Sequence, residues 1–323
     1  MIGLCRTAWR MKKMGVLGMN ERNADFILPY NPRKLYPLVD DKLLTKSIAQ
    51  KSGITVPELY GVISQESEIR NLERIIGDKS DFVIKPAQGS GGEGVIVVAA
   101  RTKGMYRLVN GDLMNVEELA YHVSNILSGM FSLGGKRDKA IIEYRVKFDP
   151  VFEAISYQGV PDIRIIIFLG VPVMSMVRLP TRQSRGKANL HQGAIGAGIA
   201  ITSGITMTAV WRNEIVTEHP DTGNSVVGVQ VPGWGALLRL AASCYELTGL
   251  GYQGVDIVLD RDKGPMILEV NARPGLSIQI ANRAGLAPRL RLVEEAYTVR
   301  QKAIPDIEER VRFTMDHFSP AGA

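Results

Sequence analysis

Cysteine is almost missing from this chain: Cys5 and Cys244 are the two among 323 residues, and they lie far apart in sequence. They supply no disulfide framework and fit a reducing, cytoplasmic compartment. The start lacks an uninterrupted apolar run. Met1 to Gly15 interleaves Arg6, Arg10, Lys12 and Lys13 with apolar residues, so it is no secretory signal. It reads as an amphipathic surface helix, with peripheral contact to a membrane surface as the alternative. Gly193 to Trp211 holds no charge, but its glycines and Thr202, Ser203, Thr206 and Thr208 make a poor spanning helix. Ser203-Gly204 among β-branched residues suggests a hairpin turn instead. No Gly-Lys-Ser/Thr phosphate loop, no His-Arg-Asp and no Asp-Phe-Gly occurs. No Ser/His/Asp or cysteine-nucleophile arrangement can be built, and no internal repeat is visible. His191 has no cysteine or histidine at ligand spacing and reads as a loop hydrogen-bonding residue.

What is present is a globular composition, 45% hydrophobic and 22% charged, long enough for one large domain or two ordinary ones. A net charge of +6 favours anionic ligands, among them nucleotides, acidic peptides, RNA and lipids, without choosing one. Helices are expected at Lys42 to Lys51 (opened by Asp40-Asp41), Glu66 to Ile76, Asn115 to Leu127, Pro232 to Leu247 and Ile278 to Ala287. Strands are expected at Phe82–Lys85, Val95–Ala99, Ala140–Tyr144, Arg164–Leu169 and Val171–Leu179, and Asn110-Gly111 marks a hairpin turn. This order of helices and hairpins lacks β-α-β alternation and implies an α+β fold. Residues 1–36 read as an N-terminal amphipathic and loop segment, 37–288 as the main domain divided near 139/140, and 289–323 as a charged helical tail. Arg283, Arg289, Arg291 and Arg300 read as a solvated helix face, with no specific nucleic-acid partner. Trp9, Trp211 and Trp234 read as packing.

The most informative stretch is Gln253 to Gly275. Two β-rich runs, Val255–Leu259 and Pro265–Val270, flank the charged turn Asp260–Gly264. A turn centred on Asp262 and Lys263 sets Asp256 directly across from Glu269, where opposed Cβ atoms sit about 4.5–5.5 Å apart and like charges repel. Asn271 leaves on the same face, two residues on. Two carboxylates and an amide oxygen together call for a cation, and all-oxygen ligands suit Mg²⁺, with Mn²⁺ also possible. A one-residue slip would separate the two acids.

Gly89-Ser90-Gly91-Gly92-Glu93-Gly94 fits the dinucleotide glycine pattern, but β-branched Val95 to Val98 follows it rather than a helix, so the dinucleotide fold fails on context. A glycine-rich hairpin preceded by Lys85 can still cover nucleotide phosphates; the plain alternative is a turn beside a surface lysine.

Taken in order, Lys42, Lys85 with its glycine loop, Ile141-Ile142-Glu143-Tyr144, Asp162-Ile163-Arg164, Lys187-Ala188-Asn189-Leu190-His191, Gly254-Val255-Asp256 and Leu268-Glu269-Val270-Asn271 resemble the ATP-grasp superfamily. The likeness covers about Leu17 to Gly285 and is nearest to the α-L-glutamate ligase-like proteins, including the ribosomal-protein glutamate ligases. Asn20 to Pro32 resembles the sugar-transfer-associated group. The resemblance implies two α+β subdomains clasping ATP, and a carboxylate activated as an acyl phosphate and then attacked by an amine. It implies that Lys42 and Lys85 bind ATP phosphates under the mobile cover Gly89, Ser90, Gly91, Gly92 and Gly94. Glu143, Tyr144 and Val146 would form the hinge at adenine and ribose, Asp256, Glu269 and Asn271 would hold Mg²⁺, and Arg164 and Asn189 would face phosphate.

Two departures stand out. Only about forty residues precede Lys42, so a full domain before the ATP-grasp region is not expected. Arg273 replaces a residue that is more often small, and either forks a substrate carboxylate or pairs with a nearby acid. Arg164 and Asp162 read alternatively as a local ion pair. The expected activity is ATP- and Mg²⁺-dependent joining of a carboxylate to an amine, possibly adding glutamate or another amino acid to a peptide or protein. The alternatives are a phosphotransferase and a non-catalytic nucleotide-binding module of a membrane-associated assembly.

Overall fold

Hairpins dominate, and both sheets are antiparallel. The computed structural model describes residues 9–89, 91–132, 134–299 and 304–318. They divide into two compact units, Asp40–Lys147 and the combination of Met1–Val39 with Phe148–Ala323.

In Asp40–Lys147 the strands are β1 (Leu59–Ile63), β2 (Phe82–Pro86), β3 (Ile96–Thr102), β4 (Met105–Leu108), β5 (Leu113–Met114) and β6 (Ala140–Glu143), in the order β1-β6-β2-β3-β4-β5. All four residues of β6 are buried between β1 and β2. The division expected near 139/140 therefore lies at 147/148, because removing β6 would split the sheet. Helix Val116–Leu127 closes the core with Leu119, Val123 and Ile126 against Ile84 and Ile142. Its first turn is fixed by a reciprocal cap, Glu118 N–H donating to Asn115 Oδ1 and Asn115 N–H to the Glu118 carboxylate, each at 2.8 Å. Helix Lys42–Lys51 is capped by Asp41, which accepts from the Leu43 and Leu44 amides. The helix expected over Glu66 to Ile76 is divided: Glu66–Asn71 is a 3₁₀ turn, and only Leu72–Ile76 is α-helical.

The other unit holds β7 (Asp162–Phe168), β8 (Val171–Leu179), β9 (Ile195–Ile199), β10 (Thr206–Trp211), β11 (Glu214–Val216), β12 (Tyr252–Asp260) and β13 (Gly264–Asn271), in the order β11-β10-β9-β8-β7-β12-β13. The uncharged run Gly193 to Trp211 is thus a strand pair. Among the described residues no helix is long and apolar enough to cross a membrane. Helix Trp234–Thr248 packs on β7, β8 and β12. The short helix Ile278–Asn282 sits where β9 carries Gly198, whose missing side chain admits the Ala281 carbonyl. The helix expected to reach Ala287 stops at Arg283 (φ +50°) because Gly285 lies backbone to backbone against Met14 and Gly15. A second helix, Ala287–Glu294, begins after the break.

Residues 22–31, with Arg289 and Thr314 of the expected tail, are tied into the sheet. Asn31 is 2% exposed and extends the β12–β13 ladder by one step: it accepts from Tyr252 N–H (2.8 Å) and donates to the Tyr252 and Ala272 carbonyls (2.6 and 3.1 Å). Phe26 and Tyr30 meet Phe168 edge-on, and Arg22 donates to the Pro274 carbonyl. The expected tail is likewise built in. Helix Ile307–His317 buries Arg310 and Thr314, the latter bonded to the Pro172 carbonyl, and Arg289 donates to the Val173 carbonyl. Arg300 lies outside the described residues. Trp234 packs as expected, whereas Trp9 is 64% exposed. Asn31→Ala should lower unfolding free energy by about 1–3 kcal/mol, since it orphans buried backbone groups; denaturant titration reads this, and an unchanged midpoint would remove the segment from the fold.

Candidate active site

Asp256 does stand opposite Glu269, by a different route from the one expected. The turn holds three residues, Arg261 to Lys263, between the paired Asp260 and Gly264, and Leu268 then bulges, so Ile257 pairs with Ile267 and Asp256 with Glu269. An extra residue on one strand locally increases twist and re-aims side chains. On its other edge Asp256 pairs with Arg164 of β7.

The carboxylate is buried at 1% exposure and spends its oxygens on cations of the chain itself. Arg164 grips it with two bonds (Nε to Oδ1 2.7 Å, one terminal nitrogen to Oδ2 2.6 Å), and Arg178 of β8 donates to Oδ2 at 2.7 Å. Arg178 also forks Asp162, at 2.5 and 2.6 Å. The local pair considered between Arg164 and Asp162 is therefore not formed; each finds its partner on the neighbouring strand. Burial would raise the Asp256 pKa, but the Arg164 and Arg178 charges outweigh it and hold it below the ordinary value. For Asp162 burial wins, aided by the Asp256 charge against the pull of Arg178 and Arg164, and pushes it up to about 6.

These opposite shifts have opposite linkage. Between its unfolded value near 4 and its folded value near 6, Asp162 binds more proton folded than unfolded, so its contribution to stability falls as pH rises through that window. Asp256 contributes stability above its unfolded pKa and loses it as pH falls. The unfolding free energy of the wild type relative to Asp162→Asn should thus drop by about 1–3 kcal/mol from pH 4 to pH 7. A flat difference would place the proton elsewhere.

Glu269 and Asn271 flank Asp256, both half-buried. Asn271 Nδ2 donates to Asp256 Oδ2 at 3.3 Å, which turns its amide oxygen away from Asp256. By residue type, two carboxylates and an amide suit Mg²⁺ or Mn²⁺, but here Asp256 is bonded to Arg164 and Arg178 and the Asn271 amide nitrogen faces it. Among the described residues no group of three or more His, Cys, Asp or Glu is placed to hold a metal, here or elsewhere. Asn189 caps the turn Leu190–Gln192 by accepting from His191 N–H at 3.0 Å, and Leu190 fills the space over Gly196, the strand partner of Arg178. The Asn189 side chain is thus engaged by its own turn, and the His191 side chain is exposed. Arg273 is exposed with its guanidinium 5.0 Å from the Tyr36 ring, a stacked pose rather than an ion pair. Arg178 is the member that sequence reasoning missed. Its signal was a lone charge in the apolar strand Val171–Leu179.

In Asp40–Lys147, Lys85 is no surface lysine: it is 8% exposed and paired with Glu143 at 2.5 Å. A second buried lysine, Lys46, reaches the same carboxylate at 3.0 Å and also donates to the Pro57 carbonyl. Glu143, expected at the hinge, turns its side chain to these lysines, and Tyr144 N–H is donated to the Glu58 carbonyl. Val146 is buried just beyond. Burial would raise the Glu143 pKa, yet Lys85 and Lys46 together hold it below the ordinary value; burial lowers that of Lys46. Lys42 donates to the Gly89 carbonyl at 2.5 Å. Gly91, Gly92 and Gly94 adopt left-handed φ of +65°, +73° and +69°, which glycine alone reaches without strain. The loop is tied at both ends. Gly89 bridges to Ser132, and the Gly94 carbonyl meets His122 Nε2 at 2.9 Å. Asp138 accepts from Gln88 N–H and Ser132 Oγ beneath it. Ser90 lies outside the described residues.

The chain is similar to known proteins over most of its length. Residues 21–295 match the family described as sugar-transfer associated ATP-grasp. A probable alpha-L-glutamate ligase of Ectopseudomonas mendocina is 25% identical over 250 residues, covering 77% of this chain and 61% of its own length. Another, of Maridesulfovibrio salexigens, is 27% identical over 237 residues, covering 73% and 56%. The chain thus spans under two thirds of these curated relatives. Among solved structures, a RiPP-associated ATP-grasp ligase of Chryseobacterium gregarium with ADP, leader and core peptide aligns over 94% of this chain and 72% of its own, at 13% identity and TM-score 0.47. The D-alanine–D-alanine ligase of Bacillus anthracis aligns over 83% and 70%, at 16% identity and TM-score 0.45. On the extent of the family match, this α+β chain belongs to the sugar-transfer-associated ATP-grasp family.

Proposed function

We propose that the chain is an ATP- and Mg²⁺-dependent carboxylate–amine ligase acting through an acyl phosphate, joining an amino acid such as glutamate, or a peptide, to a carboxylate-bearing peptide or protein. The observation that carries this reading is the opposition of Asp256 and Glu269 beside Asn271, with Arg164 and Arg178 fixed on the same carboxylate. In the first step the acceptor carboxylate oxygen bonds to the γ-phosphorus of ATP as the bond to ADP breaks. In the second the amine nitrogen attacks the acyl carbon, loses a proton, and phosphate leaves.

Arg164, pre-aimed by its fork to Asp256, would stabilise the charge developing on the transferring phosphoryl group. Lys42 and Lys85 would neutralise the nucleotide phosphates under the loop Gly89 to Gly94, with Asn189 as a further phosphate contact. Glu269, Asn271 and Asp256 would hold the metal, which would supply positive charge against the nucleotide phosphates. Glu143 is assigned to orienting Lys85 rather than to the ribose, which leaves Val146 for adenine. Arg273, held against Tyr36, would present a fork to a substrate carboxylate.

Purified protein with ATP, Mg²⁺ and a panel of amino acids and acidic peptides should release phosphate and, with hydroxylamine added, yield a hydroxamate. A stable phosphorylated product without hydroxamate would favour a phosphotransferase. Nucleotide binding without turnover across the whole panel would favour a binding module.

A further inference from the structure

Four cations outside the proposed catalytic set cluster on the loop between β8 and β9 and on the hairpin turn bonded to it: Arg182, Arg185, Lys187 and Arg212. Among the described residues none of the four forms an ion pair, although Arg164, Arg178, Arg239, Arg261, Arg291 and Arg310 all do. The three arginines are exposed. Nearby acids do not neutralise them: Asp221 spends Oδ2 on the Arg182 backbone N–H, and Glu214 and Glu218 are exposed on the following hairpin.

The loop is built rather than slack. Thr181 and Ser184 bond reciprocally, Thr181 Oγ1 donates to the Gly193 carbonyl, and Trp211 Nε1 donates to the same carbonyl. Gly186 packs backbone to backbone on Gly159, which a side chain at Gly159 would prevent, and Gly186 itself takes a left-handed φ of +74°. Flanking that contact, Gln158 and Arg185 both take left-handed φ of +53° and +52°, a conformation uncommon outside glycine and concentrated at functional positions. Arg212 stacks on Trp211 at 4.9 Å and bonds Gln183, while Arg182 stacks on Tyr157 at 5.4 Å. Stacking holds the guanidinium groups in place, and apart from the Arg212 Nε bonded to Gln183 it leaves their donors available.

We propose that this cluster is the docking surface for an acidic segment of the peptide or protein acceptor. Arginine forks match carboxylates bidentately, and rows of carboxylates are what a ligase acting on a carboxylate acceptor would meet. A nucleic-acid partner would need aromatic faces for its bases, and one face each of Trp211 and Tyr157 is taken by arginine. The inference rests on the ligase reading, and the following test separates the two.

Anisotropy of a labelled Glu-Asp-Glu-Asp-Glu-Asp peptide should report binding to the full chain at low salt without ATP, weakening as salt rises. The same peptide with Gln and Asn throughout should bind at least about tenfold more weakly. Arg182→Ala, Arg185→Ala and Arg212→Ala combined should weaken acidic-peptide binding about tenfold or more, with ATP-analogue affinity and melting temperature retained; Arg185→Glu should do so alone. Equal binding of the neutral peptide, retained binding in the triple variant, or preferential displacement by a single-stranded oligonucleotide would overturn the proposal. A protein that binds the acidic peptide through these arginines yet shows no phosphate release would overturn the ligase reading and leave the docking surface standing.

Discussion

Glu269→Gln should abolish ADP formation, by at least about 10²-fold, with the melting temperature held within a few degrees of wild type. Glu269 is half-buried, and the change replaces one oxygen by NH₂ at constant shape. Only a role that requires charge, such as holding a dication against phosphate, makes that exchange so costly. Asp256→Asn appears equivalent on the sequence and is not. Its carboxylate is the counter-ion of two guanidinium groups in a buried network. Removing one partner of a buried pair costs about 3–5 kcal/mol, because the charge left behind has nothing to meet it. Asp256→Asn should therefore lose ADP formation and also melt about 10 °C lower. Full turnover in Glu269→Gln would end the metal assignment. An unshifted melt in Asp256→Asn would mean that the arginines do not depend on it.

The second large effect lies in Asp40–Lys147. Glu143→Gln leaves Lys85 and Lys46 buried without their shared carboxylate, and an order of about 3–5 kcal/mol is expected. The compensating test is a double-mutant cycle. Lys46→Met alone keeps the Lys85–Glu143 pair, so Lys46→Met with Glu143→Gln should be less damaging than the sum of the single changes. Strict additivity would show that Lys46 does not feel Glu143. Because the Glu143 pKa is held down in the folded state, its contribution is present above the unfolded value near 4.5 and lost as pH falls, so the variants should converge in acid.

Much of this arrangement could be read from the chain in advance, for reasons that are local. The cap at Asn115, the left-handed turn at Gly204 and the strand pair around Gly170 depend on residues a few positions apart. The Asp256–Glu269 pairing was legible too, but its route was not. Two small deviations, a longer turn and a bulge at Leu268, cancel where the acids meet. What stayed hidden depends on partners distant in sequence. Lys46 sits on an amphipathic helix where a lysine ordinarily faces water, and only Glu143 from β6 explains its burial. The end of Ile278–Asn282 is dictated by Met14 and Gly15, and the burial of the last helix by β8.

The step that Asn31 adds to the β12–β13 ladder bears on how the chain is made. Residues 17 to 31 leave the ribosome early, yet their partners Tyr252, Ala272 and Gln279 lie 221 to 262 positions later. Throughout that interval Phe26 and Ile27, buried in the finished fold, have no sheet to cover. Asp40–Lys147 carries its own core within 108 consecutive residues and can complete meanwhile. Synthesis should therefore show an early protease-resistant species of Asp40–Lys147, with the N-terminal segment cleavable until β13 has emerged.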